Sequence, residues 1–175
     1  RPSRRKNETG SSRTAWGKRS DMSGQIEARL AALGITLPEP AAPAANYVPF
    51  VISGKQVFIS GQLPLSGGNI ACSGHLGADV SLEDGQQAAR LCGINILAQV
   101  KAALGDLDRV ARCIKLGGFV ASTPEFTDQP KVINGASDLM VEVFGERGRH
   151  ARFAVGAPAL PLGCAVEIDA VFEAE

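Results

Sequence analysis

Residues 81–105 read SLEDGQQAARLCGINILAQVKAALG, and this stretch sets the architecture of the chain. Ser81 with Asp84 three residues on makes a capping-box-like start, Asp standing in for the usual Glu or Gln. Ala89, Cys92, Ile96, Val100 and Ala103, flanked by Leu97 and Leu104, then recur at helical spacing, so one face of a long helix seeks a core. Gly105 supplies the stop. Downstream, Cys113–Ser122 is β-branched and glycine-containing enough to be a buried strand. Pro130–Phe144 returns to helical periodicity through Val132, Ala136, Leu139 and Val143, and ends near Gly145. Ala151–Val155 and Cys164–Phe172 read as strands. The second alternates Cys164, Val166, Ile168, Ala170 and Phe172 on one face, which leaves Glu167 and Asp169 on the other. Upstream, Tyr47–Ile52 and Gln56–Ser60 read as a hairpin turning at Ser53-Gly54-Lys55, followed by a Gly-rich loop at Ser66–Asn69.

The order ββ-α-β-α-ββ predicts an α+β domain, a mixed sheet with two helices on one face. The other face carries too many apolar residues to stay in water, so burial against further subunits is expected. Ahead of this domain, taken as residues 47–175, Ile26, Leu30 and Leu33 predict a short helix over Ser23–Leu33, stopped at Gly34. The prolines of Leu37–Pro43 then make an extended linker, and residues 22–46 form an arm.

Lys plus Arg and Asp plus Glu are 18 each in the 175 residues, but the balance is uneven. Residues 1–21 hold seven basic residues against Glu8 and Asp21, a net of +5, so the remainder carries −5. That basic segment, followed by Met22, is read as a disordered tag or leader, with a transit-like presequence or an RNA-binding arm as alternatives. A folded part of net negative charge is a poor general partner for phosphate backbones, so nucleic-acid binding is not expected. Cys72, Cys92, Cys113 and Cys164 are far apart in sequence and lack the spacing of a metal set; they are expected to be reduced core residues, and no metal is expected. No apolar run approaches a membrane span and no secretory h-region precedes the domain, so a cytoplasmic protein is expected.

No motif announces a cofactor. Gly67-Gly68 lacks the spacing of a dinucleotide or phosphate loop, and Ser60 is not in a nucleophile elbow. His75 and His150 stand alone and are read as surface residues. What remains is Arg152, a guanidinium inside the apolar run Ala151–Val155, and Glu167 in the last alternating strand. An arginine among apolar neighbours needs an anion or carbonyl partner, because desolvating an unpaired charge is costly. On pattern alone a structural ion pair or an exposed edge residue would serve as well as a binding site.

Several stretches taken together resemble the RidA (YjgF, endoribonuclease L-PSP) family across roughly residues 45–173. Tyr47-Val48 is similar to the tyrosine of the family's first strand, and Ile59-Ser60-Gly61-Gln62-Leu63-Pro64 to its S-G-Q-[IL]-P signature. Asn95 and Asn134 fall where its helices often carry asparagines. Ala151-Arg152, Leu160-Pro161 and Val166-Glu167-Ile168 resemble its A-R…L-P…[IV]-E-I pattern. The chain departs from it in its long N-terminal arm and in Phe153, where smaller polar residues are common. The resemblance implies a chorismate-mutase-like fold and a homotrimer with a central barrel and sites in the clefts between subunits. It also implies cofactor-free hydrolysis of reactive 2-imino or enamine acids to 2-oxo acids and ammonia. Arg152 would hold the substrate carboxylate and Glu167 would position water and move protons, with Tyr47, Ser60, Gly61, Phe119 and Asn134 around the substrate. A non-catalytic carboxylate-binding protein on the same scaffold, or an endoribonuclease or translation inhibitor, are the rival expectations.

Overall fold

The structure is a computed structural model that describes residues 24–43 and 45–175. The basic segment 1–21 and its proposed roles lie outside the described residues. Helix α1 spans Gln25–Ala32, and strands β1 (Phe50–Ser53) and β2 (Gln56–Gln62) form the expected hairpin. A two-residue hairpin, β3 (Leu65–Ser66) and β4 (Asn69–Ile70), turns at Gly67 and Gly68, both with positive φ. Then follow α2 (Leu82–Leu104), β5 (Val110–Ala121), α3 (Gln129–Phe144), β6 (Ala151–Ala157) and β7 (Val166–Ala174).

The five-stranded sheet runs β1-β2-β7-β5-β6. Only β5 and β6 pair in parallel; the other neighbours are antiparallel, which makes the sheet mixed. One face is closed by α2 and α3. Val57, Ile59, Leu116, Val120, Ile168 and Phe172 point into this layer and are buried, together with Ile96, Val100, Ile133 and Met140 from the helices. The predicted alternation of the last strand holds through Cys164, Val166, Ile168, Ala170 and Phe172, all buried.

Where the elements differ from expectation, local chemistry explains it. The first strand begins at Phe50, not Tyr47, because Pro49 has no N–H for the ladder; Tyr47 instead donates its N–H to Ala45 O at 2.9 Å. At the start of α2, Ser81 Oγ accepts from Asp84 N at 3.1 Å, as a cap should. The Asp84 carboxylate accepts from the Ser81 hydroxyl at 2.8 Å, since a side chain one methylene shorter than Glu completes the box differently. Asn95 on α2 is structural: its Nδ2 donates to Leu63 O at 3.0 Å and to Leu65 O at 3.2 Å, pinning the chain between β2 and β3. The arm is docked as well. Asp108 accepts from Gln25 N at 2.8 Å and Ile26 N at 2.9 Å, capping α1 from outside, and Gln99 Nε2 holds Ala41 O of the linker at 2.8 Å.

Helices α2 and α3 cross closely because glycines line the contact. A Cβ on Gly135 would collide with the backbone carbonyl of Gln86, which cannot swing aside as a side chain could. Gly135→Ala is therefore expected to destabilise the protein by about 2 kcal/mol, typical of overpacking, despite alanine's better helix propensity. Urea denaturation checks this: the midpoint should fall while the slope stays unchanged. A midpoint equal to wild type would mean that the helices part at little cost.

Three cysteines, Cys92, Cys113 and Cys164, are buried and Cys72 is partly so. Burial pushes the Cys113 thiol up to about 12 and that of Cys164 up to about 11, which makes both poor nucleophiles at neutral pH. No helix among the described residues is long and apolar enough to cross a membrane.

Candidate active site

The sheet face away from the helices has no cover among the described residues. It presents Val51, Phe58, Phe119 and Val155, 51%, 41%, 40% and 43% exposed, with Glu167 and Asp169 from β7. Phe119 packs edge-on against Phe153, ring centroids 5.3 Å apart, so Phe153 belongs to this face and not to the helix side.

Glu167 sits at the centre of the first half of the site. Its register partner on β5 is Phe119. On the other side β2 bulges: Ile59 pairs with Ala170 but Gln62 with Ile168, so Ser60 and Gly61 oppose a single β7 residue. The bulge brings Gly61 against Glu167 so closely that a Cβ there would collide with Glu167 Oε1. Ser60 faces elsewhere and donates from Oγ to Val48 O at 2.7 Å, tying the segment after exposed Tyr47 to the bulge. Burial, and then the neighbouring Asp169 carboxylate, hold the Glu167 carboxyl above the usual range. A half-buried carboxyl of raised pKa suits proton transfer near neutral pH.

Arg152 defines the second half, on the opposite side of the sheet. It leaves the edge strand β6 toward α3, where Nη1 donates to Ser137 Oγ at 3.0 Å and Nη2 to Pro130 O at 3.1 Å. Asn134 lies between those two residues at helical spacing on α3, half-buried. No carboxylate of the described residues pairs with Arg152. The structural ion pair that the sequence left open is therefore not formed within the described residues.

The two halves do not meet within one chain. Arg152 is level with Leu116 and Glu167 with Phe119 three residues along β5, two strand spacings apart, so their backbones are separated by roughly 14 Å and their side chains by the sheet itself. Gly61, Phe119 and Glu167 form one neighbourhood, beside which Ser60 turns to Val48 O and Tyr47 stands exposed one residue before it; Asn134 and Arg152 form another.

His150 corrects a sequence expectation. It is half-buried, with Nδ1 2.6 Å from Gly148 O and Nε2 2.9 Å from Ser137 Oγ, and so belongs to the surroundings of Arg152. Its position two residues before Arg152, the spacing that puts side chains on one side of an extended chain, was the available signal. Ser137, one of several polar residues on α3, carried none. His75 is structural, its Nε2 2.7 Å from Pro158 O.

Gly61 supplies a test of the first half. Gly61→Ala meets only the end of a flexible side chain, so the fold should tolerate it with little change in melting temperature, but Glu167 must move. A displacement of about 1 Å at a reacting group can cost on the order of 100-fold in rate. Parallel thermal melts and turnover measurements check this; full activity in Gly61→Ala would remove the contact from any functional role.

A mixed sheet closed by two helices on one side, with an arginine on its edge strand and a glutamate facing a bulge, defines a class, and this chain belongs to it. It is a member of the family described as "YjgF/chorismate mutase-like, putative endoribonuclease", whose pattern it matches over residues 27–173. Among its relatives is Protein TCP17 of Trypanosoma cruzi, 55% identical over 152 residues that cover 86% of this chain and 95% of that one. The protein Atu1372 of Agrobacterium tumefaciens, of unknown function, is 58% identical with a TM-score of 0.81, over 86% of this chain and 92% of its own. A protein of the endoribonuclease designation from Shewanella oneidensis MR-1 is 40% identical with a TM-score of 0.83, over 85% of this chain and 98% of its own. The same fold extends to RidA from a Psychrobacter species, 25% identical over 77% of this chain and 94% of that one, with a TM-score of 0.55.

Proposed function

We propose that the protein hydrolyses reactive 2-imino acids, and the enamines in equilibrium with them, to 2-oxo acids and ammonia at sites shared between subunits of a homotrimer. The observation that carries this reading is Arg152. Its guanidinium is fixed by two neutral acceptors and has no carboxylate partner among the described residues, the arrangement expected of an anchor awaiting an anion. A planar fork fits a carboxylate bidentately, which a lysine does not reproduce.

In the proposed reaction Arg152 of one subunit holds the substrate carboxylate while Glu167 of the next faces C2. The water oxygen bonds to C2 of the protonated imine as the C=N π pair moves onto nitrogen, and the water proton passes to Glu167. Glu167 then returns a proton to the amino nitrogen of the tetrahedral intermediate, the C–N bond breaks, and loss of the hydroxyl proton leaves the 2-oxo acid. A protonated imine carbon is already electrophilic, so positioning and proton transfer suffice. The uncovered apolar sheet face supports the trimer, since an exposed patch of this kind calls for a partner. The endoribonuclease designation finds no support in residues 22–175, whose net charge of −5 disfavours a phosphate backbone.

An amino-acid oxidase generating a panel of 2-imino acids tests the reading. Decay of each imine should accelerate when the protein is added, with ammonia and 2-oxo acid as products. An intact oligomer that accelerates none of them would contradict it.

A further inference from the structure

The contacts behind Arg152 fix every proton in a chain of four groups. Gly148 O can only accept, so at 2.6 Å the His150 proton lies on Nδ1. Neutral His150 then offers a lone pair at Nε2, and Ser137, 2.9 Å away, donates its hydroxyl proton there. Arg152 Nη1 can only donate, so Ser137 Oγ accepts from it at 3.0 Å with one of its two lone pairs. Pro130 O takes a proton of Nη2 at 3.1 Å. Two of the five guanidinium N–H groups are thus committed to fixed acceptors, and three remain for an anion.

We propose that Ser137 and His150 are positioning residues for Arg152: the imidazole sets the direction of the Ser137 hydroxyl, which in turn holds the guanidinium in the orientation that receives a substrate carboxylate. This rests on the anchor role given to Arg152 above. Long side chains lose much rotamer freedom on binding, and an arginine already held by two acceptors loses less. Neither Ser137 nor His150 needs to touch the substrate.

Protonating His150 would break the chain. Nε2–H would donate to Ser137 Oγ, the serine proton would have to turn away, and two cations would flank one oxygen. Burial holds the imidazole below its usual range, Gly148 O pulls it partly back up, and the nearby Arg152 lowers it a little further, so protonation is displaced toward lower pH. The other charged groups on elements packed around it are Asp138 beside Ser137 on α3, Lys131 and Glu142 on the same helix, paired with Asp128 and Arg90, Lys115 opposite Ala151 and Arg112 on β5, Arg147, and the Arg149–Glu146 pair of the preceding turn. Of these, none is in hydrogen-bond contact with the imidazole.

The test separates the relay from the chemistry by using pyruvate, a stable 2-oxo acid, as the binding probe on the full-length protein. Ser137→Ala and His150→Ala should each weaken pyruvate about tenfold, about 1.4 kcal/mol, and raise KM for an imino acid similarly while kcat changes little. Ser137→Thr, which keeps the hydroxyl, should restore binding. The double variant should lose no more than the worse single one, because each acts through the same contact. Nitrogen-15 shifts should place the His150 proton on Nδ1 in wild type. Unchanged pyruvate binding in both alanine variants, additive losses, failure of the threonine to rescue, or a proton on Nε2 would each overturn the relay. Normal pyruvate binding by wild type without imine turnover would sink the deaminase reading and leave the relay standing; no pyruvate binding at all would remove the anchor and the relay with it.

Discussion

Arg152→Ala is expected to lower kcat/KM for 2-imino acids by roughly 30-fold to several thousand-fold, the effect of about 2–5 kcal/mol when one partner of a desolvated charged pair is truncated. Most of the loss should fall on substrate affinity, because the carboxylate is present equally in the ground state and in the tetrahedral transition state. Arg152→Lys keeps the charge but loses the fork, and a single ammonium cannot satisfy Ser137 Oγ, Pro130 O and a bidentate carboxylate together. It should therefore recover only a small part of the loss. The fold should survive both changes, since Arg152 sits on an edge strand and its contacts lie at the rim of α3. Steady-state kinetics on an oxidase-generated substrate, with a melting curve for each variant, check this; a lysine variant as active as wild type would reduce the arginine to a generic positive charge.

Glu167→Gln should act on kcat instead, by about 100- to 10,000-fold, the usual worth of a positioned acid–base group. The same variant carries a stability signature. The Glu167 carboxyl is held above its unfolded value, so between the two values the folded state binds more protons than the unfolded one, and stability falls as pH rises through that window. Above it the wild type keeps a half-buried charge beside Asp169 that glutamine lacks. Glu167→Gln is thus expected to melt higher than wild type at pH 7, with the difference shrinking toward pH 4. A variant that melts lower at pH 7 would mean that the carboxylate is stabilised by a partner. Higher stability combined with lower activity would mark Glu167 as a residue kept for chemistry.

Much of the fold was legible in the sequence because burial writes itself as periodicity. The stripe from Ala89 to Ala103 and the alternation from Cys164 to Phe172 each report one face meeting a core, and both landed where their spacing put them. The β2 bulge was not legible. Ser60-Gly61 keeps the ordinary residues of a strand, and only pairing with β7 reveals that two residues oppose one. Pro49, which has no N–H for the ladder, moves the start of the first strand three residues on from Tyr47, to Phe50. In the site, Arg152 and Glu167 stood out as charges in apolar strands, but sequence does not show that a sheet separates them within one chain. His150 was read as a surface residue because a lone histidine carries no pattern; its role depends on a serine thirteen residues away on another element.

The separation of Arg152 from Glu167 makes a site shared between subunits the central claim, and mixing inactive variants tests it most directly. Arg152→Ala and Glu167→Gln proteins, unfolded together in equal amounts and refolded, should assemble at random into trimers. If each site takes its arginine from one subunit and its glutamate from the next, about a quarter of the sites regain both residues, and the mixture should hydrolyse 2-imino acids at about a quarter of the wild-type rate. A mixture as inactive as either parent, from a preparation in which wild type alone refolds to full activity, would contradict the shared site.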